Sequence, residues 1–278
     1  MKENPMKIDK ISEQLNLGPK SVLDKMNENP KTKSDKNKQT NVLVTIPCYN
    51  TEESIADVIL SAAKYSTKVI VIDDGSSDMT AEIAKSLNAQ VISLGANRGY
   101  GQAINTCFAT ARANDADILV ILDGDGQHEP NEIPRLLNPI LQDIADIVIG
   151  SRFLNNLSKM PSYRKFGIVI INFLWNIGSK VKVTDSQSGF RAYNKNVIGK
   201  MYLSEKGMSA SIEIIEKTRK MHFNVKEVPI SCSYENDGSI FRFKVLKQGI
   251  GVAISVLKIR LKYAFPRKSS NILIEKSN

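Results

Sequence analysis

The sequence is poor in cysteine and in long apolar segments. Its 278 residues include only three cysteines, Cys48, Cys107 and Cys232, which are far apart. This spacing argues against a disulfide framework and a zinc site of the usual Cys-x-x-Cys kind, and it predicts reduced thiols in packed positions. The longest stretch without charge, residues 166–179, is too short to cross a bilayer as a helix. The N-terminus lacks the apolar region of a secretory signal, so we expect a cytoplasmic protein.

Common phosphate-binding loops are also missing. The sequence contains neither Gly-x-Gly-x-x-Gly nor the P-loop pattern that ends in Gly-Lys-Ser/Thr, which disfavours dinucleotide oxidoreductases and P-loop enzymes. A nucleotidyltransferase would need a glycine-rich, basic loop near the first strand. Residues 47–54, PCYNTEES, contain neither glycine nor lysine.

The net charge of +9 is concentrated towards the C-terminus, where residues 238–274 contain eight basic residues and no acidic ones. Such a block suits nucleic acid, an anionic membrane surface or a phosphate-bearing substrate. It lacks aromatic residues interleaved at stacking spacing, and no RNA-binding motif occurs, so we expect no nucleic acid partner.

Two segments have the pattern of helices at a membrane surface. Residues 245–263 separate leucine and isoleucine from lysine on opposite helical stripes, which predicts an interfacial amphipathic helix; the alternative is a helix packed on the domain's own core. Residues 166–178, FGIVIINFLWNIG, have only Asn172 and Asn176 as polar side chains. They predict either a second membrane-facing helix or a core helix.

Three regions follow one another along the chain. Residues 1–40 are polar and lysine-rich and predict a flexible arm, with a faint helix-turn-helix pattern as the alternative. From residue 41, short β-branched runs alternate with helical segments, which is typical of βαβ units. Five such strands predict an α/β domain over residues 41–240, with a central, mostly parallel sheet flanked by helices. Residues 241–278 are the basic amphipathic helix and tail.

Polar residues follow each of the five predicted strands, in the order PCYNTEE, DDGSSD, GANRGYG, DGDGQH and GSRF. Ligands of doubly wound sheets bind beyond the carboxyl ends of the strands, so we expect these residues to meet in one crevice. Asp73 or Asp74 can accept bonds from a base N–H or a ribose hydroxyl, Gly75 permits a tight turn and Asp78 caps the next helix. The glycines of GYGQA indicate close backbone packing.

The run Asp123-Gly-Asp125-Gly-Gln127 follows the fourth strand. In extended geometry, alternate residues point to the same side, so the three polar side chains can offer oxygens to one hard cation. Mg²⁺ or Mn²⁺ held by carboxylates and substrate phosphates is the usual arrangement in nucleotide enzymes. The alternative is a turn capped by local side-chain bonds.

These motifs occur in the order found in a known enzyme family. With IPCYNTEESI, VIDDGSSDMT, NRGYGQAI, LDGDGQHEP, VIGSRF, MPSYRKFG, TDSQSGFRAYNK and EVPISCSY, residues 41–239 resemble the family 2 glycosyltransferases of GT-A fold. More narrowly, the chain resembles the branch that transfers mannose or glucose to polyprenyl (dolichyl) phosphate. The resemblance implies a GT-A, Rossmann-like nucleotide-diphospho-sugar transferase fold with a C-terminal amphipathic helix.

The resemblance also implies roles for individual residues. Contacts to the nucleotide sugar (GDP-mannose, UDP-glucose or UDP-N-acetylglucosamine) fall on Pro47, Tyr49, Asn50, Glu52, Asp73, Asp74, Gly75, Asp123 and Gly124. The resemblance implies that the divalent ion is held by Asp123, Asp125 and Gln127. It also implies that the acceptor phosphate is bound by Arg152, Arg164, Ser188, Gly189 and Arg191. Asp123, Asp125, Arg152 and Glu213 are the expected catalytic residues. Two departures are Thr51, where relatives often have Glu, and Glu235-Asn236, where many have an arginine ahead of Gly-x-Ser.

The expected chemistry is direct, inverting displacement of a nucleoside diphosphate, assisted by the cation. A lipid monophosphate is already an anionic nucleophile, so it needs arginines for positioning more than a base. A hydroxyl acceptor on a glycan or protein, the alternative, would need a general base, for which Glu213 is the candidate. Because polyprenyl phosphates stay in the bilayer, we expect peripheral attachment to the cytoplasmic face of the membrane.

Overall fold

The computed structural model describes residues 39–154, 162–177 and 182–233, together with Ile254. The predicted flexible arm (1–40) and the basic amphipathic helix and tail (241–278) lie outside these ranges, apart from residues 39, 40 and 254. Within the described ranges, helices cover both faces of a seven-stranded sheet. The predicted fold class, a mostly parallel sheet flanked by helices, is confirmed. No helix in these ranges is long and apolar enough to cross a bilayer.

The strands are β1 (Val42–Cys48), β2 (Lys68–Asp73), β3 (Gln90–Ser93), β4 (Ile118–Ile121), β5 (Ile147–Ser151), β6 (Arg191–Asn194) and β7 (Val225–Pro229). The helices are α1 (Ile55–Ala63), α2 (Thr80–Ser86), α3 (Tyr100–Ala113), α4 (Ile133–Leu141), α5 (Ser162–Asn176), α6 (Lys195–Lys200) and α7 (Ala210–Lys220). A short 3₁₀ turn, Pro130–Glu132, precedes α4.

The apolar runs of the strands form a core on each side of the sheet. All of β1 is buried, as expected of a central strand with helices on both faces. Val42, Val44 and Ile46 pack with α1 and α4, whereas Leu43 packs on the opposite face with α3 and α7. The three cysteines are free and buried in this interior, which confirms the prediction made for them.

The strand order β3-β2-β1-β4-β6-β5-β7 determines where a ligand can bind. From β1 the chain builds outwards through β2 to β3, and then crosses back to place β4 on the other side of β1, parallel to it. The connections that leave β1 and β4 therefore run in opposite directions and open a crevice at the carboxyl ends of these two strands. Pro47 and Asp123 are at this edge of the sheet.

Strands β6 and β7 were not among the predicted strands. Strand β6 is only four residues long and runs antiparallel between β4 and β5. An antiparallel strand presents its amino end where its parallel neighbours present their carboxyl ends. Consequently residues 188–190, which lead into β6, lie at the same edge as the residues that follow β4 and β5.

Candidate active site

The segment that follows β4 is a turn. We expected Asp123 to Gln127 to continue in extended geometry, and that expectation was wrong, because β4 ends at Ile121 and residues 124–126 bend. Gly126 adopts φ 72°, a conformation that favours glycine. The backbone N–H of Gln127 donates to Asp125 Oδ1 at 3.0 Å. This is the capped turn that the sequence analysis left open, and it places Asp123 and Asp125 close together.

The carboxylate of Asp123 is confined by its neighbours. A Cβ atom added to Gly189 would overlap this carboxylate, so the backbone before β6 lies directly against it. Burial, followed by the charge of Asp125, raises the pKa of Asp123 to about 7, against the opposing effect of Arg152 and Arg191. Asp123 thus holds its negative charge less readily here than in water, first because it is buried and then because Asp125 is near, and a bound cation would offset both effects.

The donor set at this turn suits a hard divalent cation. Carboxylate and amide oxygens are the ligands that Mg²⁺ and Mn²⁺ prefer, and Mg²⁺ is commonly held by one or two carboxylates plus phosphate oxygens. Among the described residues, no three histidine, cysteine or acidic side chains gather as a metal cluster. The carboxylates of Asp123 and Asp125 thus suit an ion that is completed by the diphosphate of a substrate, and the expected contribution of Gln127, directly after the turn, stays a prediction.

The two carboxylates at the end of β2 have different surroundings. Asp73 accepts bonds from the Ser76 N–H at 2.9 Å and the Ser93 hydroxyl at 3.1 Å. Asp74 accepts the backbone N–H groups of Arg98 at 2.7 Å and Gly99 at 2.9 Å. Both side chains are buried. Asp74 thus fastens the loop that opens α3, and its expected contact with the nucleotide stays a prediction.

The loop after β1 meets the loop after β2. Asn50 accepts the Ser77 N–H at 2.8 Å and donates its own N–H to the Ser76 hydroxyl at 3.0 Å. Glu52, which we expected at the nucleotide, accepts the Met79 N–H at 2.9 Å and so joins this loop to the start of α2.

Of the other residues expected at the nucleotide, Tyr49 is 47% exposed, whereas Pro47 is buried in β1. Gly75 has φ 77° and lies against the backbone of Ala96, in agreement with the expected tight turn. Gly124 is buried against Cys48. Its place in the structure is a packing position beneath the turn, and not an open pocket wall.

Arg152, at the end of β5, forms a bidentate ion pair with Asp185. Its Nε and Nη2 atoms donate to the two carboxylate oxygens, each at 2.7 Å, and its backbone N–H donates to Oδ2 at 3.1 Å. The Asp185 side chain is fully buried and that of Arg152 is 10% exposed. Two-point pairing fixes the plane of the guanidinium group, so Arg152 is held rigidly at the edge of the sheet that also carries Asp123.

Residues 188–191 are buried around the same point. Arg191 is 2% exposed and donates to the backbone carbonyls of Ser186 and Ser188, each at 2.8 Å, and of Ser211 at 3.3 Å. We expected Arg191 at the acceptor phosphate, but these bonds make it the residue that orders the loop before β6. Ser188 is also fully buried. Arg164 is on α5, and its side chain lies outside the part of the chain that the structure describes.

Glu213, the candidate base, is on α7 and its carboxylate is already bonded. It accepts the Ser204 N–H at 2.8 Å, the Ser204 hydroxyl at 2.8 Å and the Glu205 N–H at 2.8 Å, and it pairs with Lys217 at 3.1 Å. Burial raises its pKa, but the bonds from Glu205, Ser204 and Lys217 outweigh burial and lower it overall. A carboxylate stabilised in this way is a poor proton acceptor.

Sequence reasoning missed two buried residues near Arg152. Asp185 is the only acidic residue between Asp146 and Glu205, and a search for the partner of a buried arginine would have found it. His128 is 6% exposed, and its Nδ1 has no hydrogen-bond partner among the described residues. Burial and then Arg152 lower its pKa to about 3, against Asp185. It is therefore neutral at physiological pH.

Comparison with known proteins agrees with this arrangement. The model of glycosyl transferase family 2 matches residues 43–201. The UDP-N-acetylglucosamine–dolichyl-phosphate N-acetylglucosaminyltransferase of Methanococcus voltae is 33% identical over 69% of this chain and 86% of its own length. The polyprenol monophosphomannose synthase of Mycolicibacterium smegmatis is 30% identical over 75% of this chain and 86% of its own.

A solved structure shares the fold. Glucosyl-3-phosphoglycerate synthase from Mycobacterium tuberculosis, in complex with Mn²⁺ and UDP-glucose, superimposes with a TM-score of 0.61 over 78% of this chain and 79% of its own, at 21% sequence identity. At that identity the likeness establishes the GT-A fold alone. Together with the family match over residues 43–201, it shows that the chain belongs to glycosyl transferase family 2 and is an enzyme of the GT-A fold.

Proposed function

We propose that this protein transfers a hexose, with inversion, from a nucleotide sugar to a polyprenyl (dolichyl) phosphate. The relatives named above, which act on dolichyl phosphate or make polyprenol monophosphomannose, support a lipid phosphate as acceptor. The observation that carries the proposal is the Arg152–Asp185 pair at the same edge of the sheet as Asp123. A rigid guanidinium beside a pair of carboxylates suits the meeting of two phosphate groups.

The donor would bind in the crevice between β1 and β4. Its base and ribose would lie along Tyr49, Asn50 and the end of β2, where Asp73 lies in register with Cys48 of β1. Its diphosphate would then face the turn after β4. The buried position of Gly189 against Asp123 leaves this turn little freedom to rearrange, so the site is preorganised for the donor.

Asp123, Asp125 and Gln127 would hold Mg²⁺ or Mn²⁺ against the diphosphate. When bound, such an ion neutralises the charge that develops on the departing nucleoside diphosphate. The raised pKa of Asp123 fits this assignment, because a cation would offset the cost of burying its charge and also the repulsion from Asp125.

The acceptor side would be organised by Arg152. Because Asp185 accepts hydrogen bonds from Nε and Nη2, the guanidinium has a fixed orientation, and its positive charge would orient an acceptor phosphate. A lipid phosphate is anionic near neutral pH and attacks without giving up a proton. The bonding of Glu213 agrees with this acceptor, since a hydroxyl acceptor would need a base and Glu213 is committed to Ser204, Glu205 and Lys217.

We place the enzyme on the cytoplasmic face of the membrane, attached peripherally. The basic amphipathic segment at 245–263 lies outside the described residues, so its sequence pattern is the support for this part of the proposal. Each basic residue close to anionic lipid contributes about 1 kcal/mol of binding. The eight basic residues of 238–274 are therefore sufficient for reversible recruitment.

A transfer assay tests the proposal. Purified protein is incubated with UDP- and GDP-linked hexoses and N-acetylhexosamines, with and without a phosphorylated prenol and with and without Mn²⁺. We expect one donor to be consumed only when both prenyl phosphate and Mn²⁺ are present, with the sugar recovered on the lipid phosphate. Transfer to a glycan or protein hydroxyl, with none to prenyl phosphate, would instead establish the alternative acceptor.

A further inference from the structure

Helix α5 leaves a broad apolar face uncovered by the described part of the chain. Val169 is 47% exposed, Phe173 66% and Ile177 51%, with Ile170 beside them at 39%. At 3.6 residues per turn, these four positions fall within an arc of about 100°. Ile171, on the opposite side of the helix, is buried in the core. The helix therefore has an apolar face turned to solvent in addition to the apolar residue that it buries in the core.

Two asparagines of α5, Asn172 and Asn176, bind the segment 183–186. Asn172 accepts the Ser186 N–H at 3.0 Å and the Ser186 hydroxyl at 2.6 Å, and donates to the Thr184 carbonyl. Asn176 exchanges two bonds with the backbone of Val183, at 2.8 and 3.0 Å. These asparagines are one turn apart on the helix, so they align the segment along it.

The segment 183–186 contains Asp185, the partner of Arg152. On its other side it is held by the sheet, since Glu227 of β7 accepts the N–H groups of Thr184 and Asp185 at 2.8 and 3.0 Å. The Asp185 side chain then reaches Arg152. A continuous set of hydrogen bonds thus runs from α5, through four residues of backbone, to the guanidinium group that we assign to the acceptor phosphate.

Charge indicates what covers the exposed face. Residues 147–184 contain six basic residues, Arg152, Lys159, Arg164, Lys165, Lys180 and Lys182, and no acidic ones. Lys165, near the start of α5, and Lys182, after it, are both exposed. An apolar stripe bordered by cations fits the interface of a bilayer that contains anionic lipid.

We propose that α5 rests on the lipid surface that carries the acceptor, and that Asn172 and Asn176 couple this contact to the position of the Arg152–Asp185 pair. This inference rests on the proposed function and adds to it the element that contacts lipid and two positioning residues. A helix fixed at the membrane surface holds the phosphate-binding arginine at a constant depth relative to the lipid phosphates. The enzyme then favours an acceptor in a bilayer over the same phosphate group on a short, soluble prenol.

The test measures vesicle binding and bilayer preference in the full chain. Binding is followed by co-sedimentation with phosphatidylcholine vesicles, with and without phosphatidylglycerol. Bilayer preference is defined as turnover on a long polyprenyl phosphate in those vesicles divided by turnover on a short, water-soluble prenyl phosphate. Phe173→Ser removes the most exposed apolar side chain and should weaken vesicle binding about tenfold, and bilayer preference with it.

Asn176→Ala should leave vesicle binding at the wild-type level and lower bilayer preference several-fold. Its matched control is Asn105→Ala, because Asn105 exchanges the same pair of bonds with one backbone residue, Leu203, at 2.8 and 2.8 Å, in a different part of the fold. The control should leave bilayer preference unchanged, whatever its effect on stability.

The outcomes separate the two levels of the argument. If the wild-type protein transfers sugar to neither prenyl phosphate, the proposed function fails. If transfer occurs but Phe173→Ser binds vesicles normally, or alters the oligomeric state instead, lipid is not what covers α5. If Asn176→Ala lowers stability and leaves bilayer preference intact, which is the result expected of the control Asn105→Ala, the asparagines stabilise the fold without coupling it to lipid.

Discussion

Replacing Glu213 with glutamine separates two roles for this buried carboxylate. In the structure Glu213 holds the backbone of Ser204 and Glu205 and pairs with Lys217. This segment in turn supports the start of α3, because the Lys206 carbonyl accepts the Gly101 N–H at 2.8 Å. As a positioning residue, Glu213 should matter mainly for stability. As a general base, it should matter mainly for turnover.

The magnitude follows from the bonds that are lost. Glutamine keeps one acceptor oxygen, but its NH₂ group replaces the other oxygen, faces the same N–H donors and cannot accept hydrogen bonds from them. Hydrogen bonds to a charged group contribute about 1.5–3 kcal/mol each, and a buried ion pair with one partner removed loses more. We therefore expect Glu213→Gln to lower the free energy of unfolding by about 2–4 kcal/mol, while kcat on a prenyl phosphate falls less than about tenfold. Loss of a general base lowers kcat by about a hundred- to ten-thousandfold.

The pH dependence gives an independent check. Because the pKa of Glu213 lies below its ordinary value of 4.5, the ionised form is stabilised in the folded protein. Its contribution to stability is complete above pH 4.5 and disappears as the pH falls through the lowered pKa. The difference in unfolding free energy between wild type and Glu213→Gln should therefore be full at neutral pH and shrink in acid.

Urea unfolding at several pH values, combined with the transfer assay, measures both effects. The control is Glu216→Gln on the same helix, since Glu216 is also fully buried and pairs with an arginine, Arg219, at 2.9 Å. A Glu213→Gln protein of unchanged stability that has lost more than about a hundredfold in kcat would refute the positioning role. It would also restore a hydroxyl acceptor to consideration.

Three further predictions concern the turn after β4. Asp125→Ala should abolish turnover while circular dichroism and Tm stay close to wild type, and near-normal rates would count against the metal assignment. Because Asp123 has a pKa of about 7, Mn²⁺ binding should expel a proton, and the affinity for Mn²⁺ should fall about tenfold per pH unit below that value. Calorimetry in buffers of different ionisation enthalpy would measure the released proton, and an affinity that does not change with pH would contradict the prediction. Gly189→Ala should impair the binding of Mn²⁺ and of the donor, because the added methyl group would overlap Asp123. The control is Gly199→Ala, since Gly199 is an exposed helical residue with open space around it. This control should bind both normally and gain about 0.5 kcal/mol of stability.

Much of the fold could be predicted from the sequence, because parallel strands buried on both faces leave clear apolar runs. The five strands from β1 to β5 each have such a run and a polar residue at the carboxyl end. Strand β6 could not be found in this way. Its four residues, Arg191–Asn194, have little apolar periodicity, and their pairing with β4 and β5 depends on contacts far apart in the sequence.

The candidate site shows the same division. Composition and position indicated Asp123, Asp125 and Arg152, because charged residues directly after buried strands are hard to explain otherwise. The sequence did not show which of the charged side chains bind the protein's own backbone and which remain available to a ligand. Asp74, Arg191 and Glu213 were all expected at a substrate, and each spends its polar atoms on backbone groups of a neighbouring loop. Such bonds depend on loop positions that only the three-dimensional structure supplies.

The central claim is that a divalent cation binds at the turn after β4 and faces the diphosphate of a nucleotide sugar. Its most direct test is the position of Mn²⁺, located by anomalous diffraction in crystals grown with a nucleoside diphosphate. The account predicts a single peak bridging the diphosphate and the side chains of Asp123, Asp125 and Gln127. A nucleotide bound in the crevice with the Mn²⁺ peak elsewhere, or with none at saturating Mn²⁺, would contradict it.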